Sequence, residues 1–220
     1  KDFFIFCEKL LKRFLNFKNL KCISGSNFQI KRIGNGDYYF SKYAHCWGWA
    51  TWKRAWKDYD DEMKFWEKLK KSDRWKKIHN NNDIEIKYWN KKFDSVKNKK
   101  IDSWAYVWLA SIWNANGISL NANGNLVKNI GFDEDATHTS GFNYNSVFRK
   151  LKIGKKIRHP KSYSVNENAD LFVFKNHYNG IFNFWPWRLI YLLKFLLNNP
   201  ILFTKKVLKK FKSNFLTVFF

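Results

Sequence analysis

The stretch 43–56, YAHCWGWATWKRAW, decides more about this fold than any other part of the chain. Its tryptophans are Trp47, Trp49, Trp52 and Trp56. Gly48 separates the first two, and from Trp49 onward the spacing is i, i+3 and i+7, which puts the indoles on one helix face. The pattern predicts a tight turn at Trp47-Gly48 and a helix over 50–57 whose indole face is buried.

Two functions suit these indoles. Tryptophans at helical spacing most often anchor a hydrophobic core. Alternatively, their flat faces form the wall of a carbohydrate or nucleotide site, with Trp47, Gly48 and Trp49 as the substrate-binding residues. The sequence leaves both interpretations open.

Composition bounds the class of protein. With 220 residues the chain is long enough for a substantial core, and 20% aromatic residues argue against a disordered chain. The formal net charge of +23 predicts attraction to anions such as nucleotide phosphates or anionic lipid. The 3 cysteines (Cys7, Cys22 and Cys46) lack CxxC spacing, which argues against a disulfide framework and favours a reducing, cytoplasmic setting.

Hydrophobic periodicity predicts the main elements around the tryptophan stretch. An amphipathic helix is expected over 3–17, and a short strand over 20–24 that ends in Ser-Gly-Ser. Residues 60–100 are expected to form several helices interrupted at 80–82. A further helix is expected over 103–116, followed by strands at 118–120 and 126–130 around an Asn-Gly turn.

Three stretches resemble a known family. ISGSNFQ (23–29), YYFSKYAHCWGWATWKRAW (38–56) and NLVKNIGFDEDATHT (125–139) occur in this order. Together they resemble the C-terminal half of bacterial GT-A glycosyltransferases of the family 2 type, which often act in surface-polysaccharide synthesis. The resemblance covers about residues 1–170. It implies an α/β fold, the C-terminal part of a Rossmann-like GT-A domain. Residues 171–220 are expected to form a basic amphipathic helical extension.

The resemblance also implies an activity: transfer of a sugar from a nucleotide-diphosphate sugar to a cell-surface glycan or lipid-linked acceptor. It implies a divalent metal, Mn²⁺ or Mg²⁺, whose main carboxylate ligands belong to a DxD motif expected upstream of Lys1. The chain starts with Lys and shows no signal-peptide pattern, so we expect a fragment that is inactive alone. The sugar, the acceptor, and retention or inversion at the sugar carbon stay open.

Asp102 is the candidate general base. The family carries an acidic residue at the start of the helix after the acceptor region, and Ile101-Asp102-Ser103-Trp104 matches that position. An inverting transfer needs a carboxylate that accepts the proton of the acceptor hydroxyl. The alternative is a helix N-cap, because an Asp side chain there accepts hydrogen bonds from free backbone N–H groups.

His138 is the candidate metal ligand. Within Asp135-Ala136-Thr137-His138-Thr139 it corresponds to the histidine that many GT-A enzymes place near the metal or diphosphate, and Asp135 is a candidate substrate-binding residue. Two DxD-like runs, 58–60 and 133–135, are weaker metal candidates, and the first is interpreted as an exposed helix end. His45 precedes the tryptophans and is given no role.

Gly25 and Asn27 are further candidate substrate-binding residues. They lie in Ser24-Gly25-Ser26-Asn27, where the first strand ends. Gly25 would supply a tight turn, and the Asn27 amide could donate to a sugar or phosphate. Formation of the turn explains both residues nearly as well.

The C-terminal extension has its own pattern. PWRLIYLLKFLLNN (186–199) is apolar nearly all round, and a second segment after Pro200 carries Lys205, Lys206, Lys209, Lys210 and Lys212. Neither segment reaches the roughly 20 apolar residues that a bilayer span needs. The pair is typical of an interfacial helix on anionic lipid, which suggests a cytoplasmic protein on the inner face of the membrane. The competing interpretation is docking on the catalytic domain.

Two classes compete with an enzyme. A basic, aromatic-rich chain suits nucleic-acid binding, but we see none of the familiar nucleic-acid-binding motifs, and we expect no nucleic-acid partner. The second rival is a membrane-associated module without catalysis, built on residues 183–220.

Overall fold

The computed structural model describes residues 1–128, 150–153 and 156–198, together with residues 200 and 204. Within these ranges the protein is a mixed α/β structure built on a four-stranded sheet. The strands are β1 (Leu20–Ser24), β2 (Tyr38–Ser41), β3 (Trp49–Ala50) and β4 (Ile118–Ala122). They are ordered β2-β4-β1-β3. The central strands β1 and β4 run parallel, whereas β2 and β3 each run antiparallel to their neighbour.

Helices surround this sheet. They are α1 (Asp2–Arg13), α2 (Lys53–Trp56), α3 (Trp66–Lys70), α4 (Asp73–Ile78), α5 (Asp83–Lys97), α6 (Trp104–Asn114), α7 (Glu167–Asn176) and α8 (Trp187–Asn198). A 3-10 turn at Ile181–Asn183 precedes α8.

The two faces of β2 hold different helices, because successive residues of a strand point to opposite faces. Tyr38 and Phe40 contact α1 and the residue that follows it: Phe6 packs edge-on to Tyr38, and Phe14 to Phe40. On the opposite face, the Ser41 hydroxyl donates to the carboxylate of Asp170 in α7 at 2.5 Å. The predicted amphipathic helix is therefore confirmed, although it ends at Arg13 rather than at residue 17.

The helical side of the core is aromatic. Trp66, Trp75, Trp89 and Trp113 are fully buried and pack with Phe93. A buried indole N–H needs an acceptor. Trp66 donates to the Asp94 carboxylate at 2.8 Å, Trp75 to the Asn90 side chain at 2.8 Å, and Trp113 to the Lys42 carbonyl at 2.7 Å. These bonds fix the ring orientations, so the core tryptophans join the helices to one another and to the end of β2.

The predicted helix over 50–57 is wrong in its first half. Trp49 and Ala50 form β3, which pairs with Ser24 and Ile23 of β1, and the helix begins only at Lys53. Sheet pairing overrides the helical spacing of the indoles. The indole face is not uniformly buried either, because Trp56 is 40% exposed.

The predicted strand over 126–130 is also not found in its described part. Residues 126–128 carry no strand assignment, and the remainder lies outside the described residues. The Asn-Gly signal suggested a hairpin with the preceding strand. Both edges of β4 are already used, by β1 on one side and β2 on the other.

The helices after the tryptophan stretch follow the sequence closely. The break at 80–82 is confirmed: Asn80 and Asn81 have positive φ angles of 49° and 56°, and the Asn82 side chain caps α5 by accepting from Glu85 N–H at 3.0 Å. Helix α6 is confirmed as well. Helix α7 (Glu167–Asn176) spans the boundary predicted between residues 170 and 171, and its Asp170 side chain contacts Ser41 of β2.

Candidate functional site

A cavity of about 390 Å³ opens beside the loop between β2 and β3. Three parts of the chain line most of it: that loop, the start of α6, and the residues after α7. The lining residues are Phe28, Ala44, His45, Cys46, Trp47, Ile101, Asp102, Ser103, Ala105, Tyr106, Leu109, His177 and Tyr178. Its walls are therefore mainly aromatic, and their polar groups include one carboxylate and two imidazoles. We call it the aromatic cavity.

The loop that bears His45 is fixed to the end of β1. The His45 N–H donates to the Ser24 hydroxyl at 3.0 Å, and that hydroxyl donates back to the His45 carbonyl at 2.9 Å. The Asn121 side chain of β4 also donates to the Tyr43 carbonyl at 3.0 Å, which fixes the loop to the second central strand. The loop thus depends on the ends of both central strands, where parallel sheets commonly form their sites.

His45 is a buried, neutral imidazole. Burial, reinforced by the neighbouring His177, holds the pKa of His45 well below its ordinary value. Its ring packs edge-on to Phe28 with centroids 4.6 Å apart, and Phe28 stacks on His177 at 3.7 Å. Among the described residues, the His45 Nε2 atom is buried without a hydrogen-bond partner. A polar atom in that state is costly unless something supplies a partner.

Asp102 lies exposed at the edge of the aromatic cavity. The N-cap residue of α6 is Ser103, and no side-chain cap bond is formed there, so Asp102 does not cap the helix. Within the described part of the chain, the Asp102 carboxylate has neither a hydrogen bond nor a salt bridge. An accessible carboxylate beside an apolar wall can accept a proton from a hydroxyl held there.

Of the three residues in the tryptophan stretch that were predicted to bind substrate, only Trp47 lines the aromatic cavity. Its half-buried ring lies edge-on to Phe28 at 5.3 Å. Trp49 is not among the lining residues and packs instead with Trp56, Trp104 and Trp108, at 5.7, 5.4 and 6.2 Å. The stretch therefore serves two purposes, a cavity wall at its start and a separate aromatic cluster further on.

Gly48 and Gly25 form a close backbone contact. Gly25 N–H donates to the Gly48 carbonyl at 2.8 Å, and the Gly48 φ angle is +64°. A Cβ on Gly48 would lie 2.4 Å from the Val127 Cγ1 atom. The tight turn predicted at Trp47-Gly48 is therefore present, and neither glycine is among the lining residues of the aromatic cavity.

Asn27 is used inside the fold. Its side-chain oxygen accepts from Gln29 N–H at 2.6 Å, and its own N–H donates to the Asn125 side chain at 2.7 Å. These bonds shape the turn that follows β1. Asn27 also lies outside the set of residues that line the aromatic cavity.

The candidate metal ligand and its neighbour, His138 and Asp135, lie outside the described residues, as does the run 133–135. The other acidic run is occupied: Asp58 pairs with Lys21 at 2.6 Å, and Asp60 accepts from the N–H of Lys64 at 2.7 Å. In the part of the chain that the structure describes, no three His, Cys, Asp or Glu side chains are grouped to hold a metal ion.

A second cavity, of about 400 Å³, carries more charge than the aromatic cavity. Its charged groups bind each other. Lys42 pairs with Glu85 at 2.8 Å and donates to the Ile78 carbonyl at 3.1 Å, while Asp170 accepts from Ser41 and from Lys42 N–H. Burial raises the pKa of Glu85, but His79 and Lys42 outweigh it and leave that pKa below its ordinary value. This network joins α5 and α7 to β2. The Asp102 carboxylate, in contrast, makes no hydrogen bond or salt bridge within the described residues.

Most of the aromatic residues that line the cavity were not predicted from the sequence. His177 and Tyr178 lie outside the three quoted stretches, and Phe28 lies within the first of them but was given no role. The three meet because α7 brings the chain back across the sheet. His45 had one signal, its place directly before the tryptophans, but a lone histidine in a sequence is usually structural. Sequence spacing alone does not predict that Phe28, after β1, contacts His177, after α7.

Comparisons with protein-family models, curated proteins and solved structures found no match to this chain.

Proposed function

We propose that this chain is the C-terminal part of a GT-A glycosyltransferase, and that the aromatic cavity binds the acceptor. The reaction would move a sugar from a nucleotide-diphosphate sugar to a glycan or lipid-linked acceptor. The observation that carries the proposal is the position of Asp102 and Trp47 on one cavity, although they lie far apart in sequence. The resemblance of the three sequence stretches supplies the reaction class.

The walls of the aromatic cavity suit a sugar ring. A pyranose presents apolar C–H faces that pack on aromatic side chains, and hydroxyls around its edge that need hydrogen-bond partners. Trp47, Tyr106 and Tyr178 provide aromatic surface, and the unpartnered Nε2 atom of His45 provides a polar contact. The cavity volume of about 390 Å³ lies within the usual range for small-ligand sites.

In this proposal Asp102 is the general base. Its carboxylate accepts the proton of the acceptor hydroxyl while that oxygen forms its bond to the anomeric carbon of the donor sugar. The bond from that carbon to the diphosphate oxygen breaks, and the nucleotide leaves with the electron pair. General base catalysis of this kind contributes about 10²–10⁴-fold to a rate.

The proposal includes a divalent ion, Mn²⁺ or Mg²⁺, with His138 as one ligand. Such an ion would stabilise the charge of the leaving diphosphate. The residues that the structure describes do not form its binding site, and no step above depends on its geometry.

Saccharide binding to the chain itself tests the cavity. Short oligosaccharides of bacterial surface-polysaccharide type should quench tryptophan fluorescence, and Trp47→Ala should weaken binding by about tenfold, since loss of a stacking aromatic costs on the order of 1–2 kcal/mol. Trp56→Ala is the matched control, because Trp56 is 40% exposed and stacks on Tyr59 outside the cavity. Equal affinity in the Trp47 variant and the parent would argue against a saccharide in the aromatic cavity.

A further inference from the structure

Helix α8 presents an apolar stripe to solvent. Its exposed aliphatic residues are Leu189, Ile190, Leu193, Leu196 and Leu197. Their spacing of i, i+1, i+4, i+7 and i+8 places them on one face of the helix. The exposed fraction reaches 50% at Leu193 and 79% at Leu197, so the face is not covered by the described fold. We call it the α8 stripe.

Two tryptophans extend the apolar surface at the start of the helix. Trp185 is 77% exposed and Trp187 is 45% exposed. Within the described residues, the main neighbour of α8 is the adjoining 3-10 turn rather than the sheet or the aromatic core. Exposed Leu, Ile and Trp side chains grouped in one short segment are typical of an interaction site.

The occupant has to cover an apolar face, and the charge of the chain favours an occupant that is negatively charged. Arg188 lies in the same helix, and five lysines follow at Lys205, Lys206, Lys209, Lys210 and Lys212. The whole chain has a formal net charge of +23, which opposes close approach of a second copy. An anionic lipid surface meets both demands, because acyl chains accept the leucines and acidic headgroups attract the basic residues.

The geometry fits a helix lying on a bilayer. Helix α8 has 12 residues, equivalent to about 18 Å of rise, against a hydrocarbon core of about 30 Å. None of the described helices is long and apolar enough to cross a membrane. Tryptophan is favoured where headgroups meet acyl chains, which suits Trp185 and Trp187 at the start of the stripe.

We propose that α8 docks the protein on the surface of an anionic bilayer, with the α8 stripe inserted at the boundary between headgroups and acyl chains. This proposal is independent of the proposed glycosyl transfer, because it rests on the exposure of α8 and on charge rather than on the aromatic cavity.

Vesicle sedimentation with the full 220-residue chain tests the docking. The parent should bind phosphatidylcholine vesicles that contain phosphatidylglycerol, bind pure phosphatidylcholine vesicles more weakly, and dissociate as salt is raised. A variant with Leu189→Ser, Leu193→Ser and Leu197→Ser should lose about tenfold or more in vesicle affinity. Near-UV circular dichroism of the tryptophan-rich core should stay unchanged.

The matched control removes three exposed apolar side chains elsewhere. Phe4, Leu15 and Ile30 are 73%, 58% and 56% exposed, and their replacement by Ser should leave vesicle binding unchanged. Equal binding by the stripe variant and the parent would overturn the proposal. Two further results would overturn it, because each would assign α8 to protein packing. The first is that the parent forms dimers in sedimentation velocity and the stripe variant does not. The second is that the core of the stripe variant unfolds.

Discussion

The Gly25 N–H donates to the Gly48 carbonyl at 2.8 Å, and this bond joins the turn after β1 to the turn before β3. Gly25 also accepts from Leu126 N–H at 2.9 Å, so three segments meet at this point. Space is limited here, because a Cβ on Gly25 would lie 2.5 Å from the Phe3 Cδ2 atom. The part of the loop that lines the aromatic cavity, residues 44–47, ends at Trp47, directly before Gly48, and is therefore anchored by this junction.

Gly48→Ala should destabilise the protein more than Gly34→Ala. Both glycines have a positive φ, +64° and +62°, so each substitution costs about 1–2 kcal/mol of backbone strain. Only Gly48 has a crowded site, with Val127 Cγ1 at 2.4 Å, whereas a Cβ on Gly34 would have nothing within 4 Å. Overpacking should add about 1–3 kcal/mol. Urea unfolding of the two variants measures the difference, and equal losses of stability would contradict the tight approach at Gly48.

His177 should make the protein sensitive to mild acid. Burial lowers the pKa of His177 from 6.5 to about 4, so the unfolded chain takes up a proton before the folded one does. Stability is complete above pH 6.5 and falls as the pH drops towards 4, by about 3 kcal/mol for this one group. His177→Phe retains a ring against Phe28 and removes the titration.

Urea unfolding across this pH window measures the effect. The His177→Phe variant should lose less stability on acidification than the parent, and the remaining acid sensitivity should include His45, whose pKa is also lowered. Identical pH profiles for variant and parent would show that His177 is not buried as a neutral imidazole.

Local signals in the sequence predicted much of the fold. Strand β1 was predicted with the same bounds that the structure shows, because an apolar run ends there in Ser-Gly-Ser. The break at 80–82 followed from three asparagines, two of which adopt left-handed backbone angles. Both features are determined by residues close together in sequence, so local patterns were sufficient to predict them.

Non-local pairing explains what was missed. Trp49 has the spacing of a helix, yet its backbone pairs with Ser24, and no pattern within 43–56 encodes that partner. In the candidate site, too, some residues were predicted from local sequence and others are brought together only by folding. The sequence pointed to Asp102 and Trp47 through resemblance, whereas Phe28 and His177 stack at 3.7 Å only in the folded chain.

The role of Asp102 as general base is tested by the transfer rate of an Asp102→Asn variant, in a protein that carries both halves of the resembled domain. An amide keeps the shape of the carboxylate but cannot accept a proton. Turnover should therefore fall by about 10²–10⁴-fold, while the affinity for the nucleotide-sugar and the melting temperature stay close to those of the parent, since Asp102 is exposed and does not cap α6. An Asp102→Asn enzyme that transfers sugar at the parental rate would show that Asp102 is not the general base.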